Sequence, residues 1–173
     1  MSADSYRFAE GFTPGRVKTY ISVIGGGQCT PDQYGQAHEV GARIAEIGAV
    51  LVCGGLGGVM EAAARGASES GGDTVGILPD HSRENANPYV DFVVTTGMGH
   101  ARNLAVVSSG DAVIAIGGEY GTLSEIGLAA KIGRPVVVLA GWRLQRKEEI
   151  EGIHYASSPR EAMTLVRDAL RPG

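Results

Sequence analysis

Three glycine clusters hold the residue types in this chain that could do chemistry. They are Gly25-Gly26-Gly27, Gly54-Gly55-Leu56-Gly57-Gly58 and Gly117-Gly118-Glu119-Tyr120-Gly121. Each follows a short apolar run and precedes a stretch with helical spacing. A helix that begins in such a loop presents free N–H groups and a partial positive charge. Glycine lets the backbone approach a ligand, because no Cβ intervenes. The chemistry that follows is phosphate binding. One such loop is as readily a packing turn, but three on one sheet edge favour a ligand. The binding candidates are Gly25 and Gly26 in the first loop and Gly54, Gly55, Gly57 and Gly58 in the second. In the third they are Gly117, Gly118, Glu119, Tyr120, Gly121 and the following Thr122.

The elements that must position these loops read clearly. Tyr20–Ile24, Ala49–Cys53, Thr74–Leu78, Asp91–Thr95, Asp111–Ile116 and Pro135–Leu139 are apolar runs of strand length, and Ile153–Ala156 is a short last one. Between them lie stretches with apolar residues at helical spacing. Thr30-Pro31-Asp32-Gln33 reads as a capping box with proline at the first helical position. Helices are expected from about Val59 to Ser70, His100 to Ser109, Thr122 to Ile132, and Ser158 to Leu170. Alternating strand and helix predicts an α/β, Rossmann-like three-layer fold. Its sheet is mostly parallel and doubly wound, with six or seven strands. Residues 1–16 read as an N-terminal arm and 17–173 as a single domain. The polar stretch 79–90 falls at a strand's C-terminal end, a favoured place for ligand contacts.

Composition removes several function classes. A net charge of −4 does not suit a nucleic-acid binder. Cys29 and Cys53 are the only cysteines and belong to no CxxC or Cys/His cluster, so neither a metal site nor a disulfide framework is expected. With no signal-like segment and no membrane-length apolar run, the expected location is the cytoplasm. The first loop lacks GxGxxG spacing, and the second strand ends at Cys53-Gly54 with no acid for a ribose, which disfavours NAD. No GxxxxGK[ST] loop is present. A pyridoxal-phosphate enzyme needs a Schiff-base lysine, and Lys18, Lys131 and Lys147 all lie outside the glycine loops.

Three motifs resemble one family. Cys53–Met60 resembles the GGxxGLM loop of the Lonely Guy (LOG) family, long labelled "possible lysine decarboxylases". Ala115–Glu125 resembles its PGGxGTxxE motif, and Gly99–Asn103 its MHxRK motif. The resemblance runs from about Val17 to Leu139, with the motifs in family order. It implies a phosphoribohydrolase that frees a base from a nucleoside 5′-monophosphate and needs no cofactor. Gly118, Gly121 and Thr122 would bind the phosphate, and Arg102 and Glu125 would be the catalytic pair. A carboxylate there would stabilise the positive charge that builds on the ribose. The chain departs from the motifs at Gly117 for proline, Glu119 for glycine and Asn103 for lysine, the last counted with the binding residues. These departures resemble a divergent branch that includes molybdenum-cofactor carriers, which bind a pterin phosphate without turnover. The expected function is therefore a hydrolase, with a non-catalytic carrier of molybdenum cofactor as the alternative. A homodimer or homotetramer is expected. Two simpler readings stay open: Thr122 to Glu125 also fits a capping box, and Arg102 also fits a surface ion pair.

Overall fold

The computed structural model describes residues 18–145 and 151–171. The expected N-terminal arm and residues 146–150 lie outside the described residues. Seven strands form one sheet: β1 Tyr20–Gly25, β2 Val50–Cys53, β3 Thr74–Leu78, β4 Phe92–Thr95, β5 Ala112–Ile116, β6 Val136–Ala140 and β7 Ile153–Tyr155. Their order is β4-β3-β2-β1-β5-β6-β7. Every adjacent pair is parallel. The expected Rossmann-like α/β fold is therefore present, with the sheet parallel throughout.

Central parallel strands are covered on both faces and so read as continuous apolar runs. Strand β5, Ala-Val-Ile-Ala-Ile, is buried at every position. Its Ile114 and Ile116 face the helices α1 (Pro31–Glu46), α2 (Val59–Glu69) and α5 (Pro159–Ala169). Val113 and Ala115 face α3 (Asn103–Ser109) and α4 (Tyr120–Lys131). Helices α1 and α2 touch backbone to backbone. A Cβ on Gly41 would meet the Ala63 carbonyl, and one on Gly66 the His38 carbonyl.

Two local expectations need correction. The stretch expected as one helix from His100 begins as a 3₁₀ turn, Gly99–Arg102, before α3. Helix α4 begins at Tyr120, with Glu119 as its N-cap, so Thr122 and Glu125 lie inside the helix and form no capping box. Among the described residues, no helix is long and apolar enough to cross a membrane.

Topology fixes where a site can form. The chain winds from β1 outward to β4, then returns to place β5 on the other side of β1. The loops after β1 and β5 therefore diverge from adjacent strands, Gly25 lying beside Ile116. In open α/β sheets, ligands enter the crevice at this reversal.

Candidate functional site

A cavity of about 820 Å³ opens at the reversal. The end of β1 forms its floor, with Val23, Ile24 and Gly25. Gly26 to Thr30 and Gln33 wall it on the α1 side, and Gly54, Leu56 and Met60 on the α2 side. His100, Arg102 and Asn103 come from the 3₁₀ turn and α3. Gly118, Glu119, Gly121, Thr122 and Glu125 come from the loop after β5 and from α4.

Three long helices start at this rim, and their free N–H groups differ. Helix α1 closes its own end. The Gln33 amide N–H donates to Thr30 Oγ1 at 3.2 Å, and the Thr30 N–H to Gln33 Oε1 at 3.0 Å. At α2, the Val59 N–H donates to the Gly26 carbonyl at 3.0 Å. Helix α4 has no side-chain cap. Its first backbone bond runs from the Leu123 N–H to the Glu119 carbonyl at 3.0 Å. The N–H groups of Tyr120, Gly121 and Thr122 are thus left without an acceptor among the described residues.

The glycines divide in the same way. Gly55 packs against Leu78 and Gly76, and Gly58, at φ +66°, against the Gly26 carbonyl and Gly27. Gly117 packs on the Gln33 side chain, and Gly25 on Val59 and the Ile116 carbonyl. A Cβ at Gly54 would stand 2.7 Å from Arg102 Nη2. The protein's own packing accounts for glycine at all of these. Gly27 and Gly121 are different: both line the cavity, neither has a positive φ, and a Cβ on either would meet nothing within 4 Å. Their bare backbone faces open cavity.

Arg102 and Glu125 stand in the cavity wall at 7% and 6% exposure, so Arg102 is not a surface ion-pair residue. Its guanidinium donates to the Gly54 carbonyl at 3.2 Å and to Asn103 Oδ1 at 2.8 Å. Its Nε is buried and has no partner among the described residues. Burial lowers the Arg102 pKa, and the nearby Glu125 carboxylate opposes that shift. Burial pushes the Glu125 carboxyl up to about 7, and Arg102 pulls the other way. Among the described residues no hydrogen bond or ion pair joins the two. Both side chains border one cavity, and the Arg102 Nε, itself sealed from the cavity, lacks an acceptor among the described residues, a costly arrangement. Below them, burial raises the Cys53 thiol to about 11, which leaves it inert.

Of the candidates named from sequence, Gly25, Gly26, Gly54, Gly118, Glu119, Gly121, Thr122, Arg102, Asn103 and Glu125 come together in the lining. Gly55, Gly57, Gly58, Gly117 and Tyr120 lie outside it. The 79–90 loop does not reach the cavity either. Its Asn87 instead braces the loop after β2, the backbone N–H donating to the Gly55 carbonyl and Nδ2 to the Leu56 carbonyl. Sequence reasoning missed Gly27, Gln28, Cys29, Leu56, Met60 and His100, and it used Thr30 and Gln33 only as a cap. The usable signal was position, since these residues sit inside or directly beside the same motifs. Among the described residues, no group of three or more His, Cys, Asp or Glu is placed to hold a metal ion.

Known proteins share this fold. A molybdenum cofactor binding protein from the phototrophic bacterium Rippkaea orientalis superposes with a TM-score of 0.83 at 36% identity, over 91% of this chain and 100% of that one. The molybdenum cofactor carrier protein of Chlamydomonas reinhardtii gives 0.79 at 34% identity, over 88% and 99%. An uncharacterised protein of Archaeoglobus fulgidus is 47% identical over 144 residues, covering 80% of this chain and 94% of the relative. The model of the SLOG cluster4 family, a branch of the LOG-like superfamily, matches residues 18–163, and the chain belongs to that family.

Proposed function

We propose that this chain binds and carries a phosphorylated heterocycle of the molybdenum-cofactor type without turning it over. The observation that carries this reading is the pairing, across one cavity, of the uncapped α4 N-terminus with the Arg102 guanidinium. The first takes a phosphate through three N–H groups aligned with the helix dipole. The second takes an acceptor on the ligand's ring or on a group it bears. The likeness to the two molybdenum cofactor proteins supports the choice of ligand. The residues fit such a group, because the Arg102 guanidinium lines the cavity and the bare backbones of Gly27 and Gly121 let a ligand approach closely. The volume falls in the range of small-molecule sites, roughly 300–1,000 Å³.

In this reading the N–H groups of Tyr120, Gly121 and Thr122 hold the phosphate. Arg102, fixed by Gly54 and Asn103, orients the heterocycle, and Glu125 accepts from its N–H edge. The binding unit is the single domain expected over 17–173, and the partner is a small phosphorylated molecule. We also propose that the chain forms a dimer or tetramer, since Phe92 and Val94 are 58% and 47% exposed on the open edge strand β4.

The test is retention. The purified protein, mixed with molybdenum cofactor, should hold it through gel filtration and release it chemically unchanged. Arg102→Ala should weaken retention at least about tenfold, the scale of one charge-assisted hydrogen bond. Equal retention by the variant would sink the assigned site.

A hydrolase remains the second reading, because Glu125 faces the cavity with a free carboxyl. That acid is half protonated near neutral pH, which weakens it as a fixed negative charge beside a developing cation. Free base released from a nucleoside 5′-monophosphate, and lost in Glu125→Ala, would replace the carrier reading with this one.

A further inference from the structure

The start of α4 carries an aromatic pair outside the cavity lining, of which Trp142 packs in part on the core and Tyr120 is left exposed. Tyr120 is the first residue of the helix and is 80% exposed. Its neighbours Glu119 and Gly121 line the cavity, while Tyr120 does not. Its ring therefore lies on the outer side of the rim. There it meets Trp142, from the loop after β6, at 5.9 Å between centroids and a 47° tilt. Trp142 is fixed to the same rim, since its Nε1 donates to the Glu119 carbonyl at 3.2 Å. A tyrosine so exposed adds little to stability. Solvent normally claims such a ring unless a partner covers it.

We propose that Tyr120 and Trp142 form an aromatic subsite for a second planar heterocycle, joined to the ligand through the phosphate held at α4. This rests on the phosphate reading given above. A monoester bound in the cavity ends at that phosphate. A pyrophosphate-linked extension leaves the cavity across the Glu119–Gly121 rim and arrives beside the two rings. The ligand class is then a dinucleotide-type molecule, with one ring inside and one outside. Stacking of a base on aromatic side chains suits such a ring, because every base has a π-face.

Two soluble probes test this with the full chain. Guanosine 5′-monophosphate carries one heterocycle and one phosphate, and its guanine shares the aminopyrimidinone edge of a pterin. Diguanosine 5′,5′-pyrophosphate adds the second ring. Trp142 is the only tryptophan in the chain, so its fluorescence reports on the subsite directly. The dinucleotide should quench it and bind about tenfold more tightly than the mononucleotide. Tyr120→Ala should bring the ratio of the two affinities close to one, measured by calorimetry. Equal affinities for both probes in the unmodified protein would overturn the subsite and leave the phosphate site standing. Binding of neither probe would overturn both. An unchanged ratio in Tyr120→Ala, with a loss of self-association in sedimentation, would assign the rings to a subunit contact and also overturn the proposal.

Discussion

The loop after β2 and the loop after β5 look alike as strings of glycine; both use glycine for close packing, as at Gly117 on Gln33 and Gly118 on Thr122, but only the second ends in a bare one, Gly121. Around β2, glycine lets pieces of the protein approach one another: Gly58 against the Gly26 carbonyl, Gly55 against Leu78 and Gly76, and Gly54 under the Arg102 guanidinium. Around β5, backbone is left uncovered at Gly121, and three N–H groups have no acceptor among the described residues. A glycine-rich loop is therefore not one signal. What separates the two kinds is whether a methyl group would strike the protein or enter empty space.

That contrast can be broken by substitution. The largest expected effect is at Gly58, where a side chain meets both a positive φ and a carbonyl oxygen. Gly58→Ala should destabilise the protein by about 3 kcal/mol in a denaturant titration, through backbone strain and overpacking. A loss below about 1 kcal/mol would mean that the loop has slack.

The next effect belongs to Glu125, on the ligand side. An acid whose pKa rises on folding holds its proton more tightly when folded. Its contribution is fully present below the unfolded value of 4.5 and is lost as pH climbs through about 7. Glu125→Gln should therefore be more stable than the parent at about pH 8, by roughly 2–3 kcal/mol, with little gain at about pH 4.5. An equal gain at both would show that the ionisation is not the cause.

The smallest effect on stability is expected at Gly121, and it makes the sharpest contrast. Gly121→Ala adds a methyl to open space in the first turn of a helix, so the melting curve should hold or improve by a few tenths of a kcal/mol. Ligand retention should nevertheless fall at least about tenfold. A variant that melts normally and binds normally would remove this glycine from the site.

How much of this could be read beforehand depended on how local the cause was. The Thr30–Gln33 box, the Ser158 cap and nearly every strand are set by residues within a few positions of one another, and all were readable. The start of α4 was not. Tyr120-Gly121 looks like a turn, and the conformation is decided by the strand and cavity behind it. The convergence of Arg102, Glu125 and Gly54 was readable only through the family motifs. They lie far apart in sequence and meet because β5 returns to the side of β1. The division of labour among glycines was invisible, since it depends on what stands opposite each one.

The backbone contact between α1 and α2 has a mechanical consequence. With the Gly41 and Gly66 backbones set against the facing carbonyls, no side chain separates the helices at these two points, which resists sliding. We expect them to act as a fixed jaw, and the wall made by α4 and the loop after β5 to act as the moving one. Faster amide exchange in α1 and α2 than at the start of α4 would contradict this. In the proposed carrier role, the cargo would leave from the side that grips the phosphate, and the group that anchors the ligand would also be the hinge of its departure.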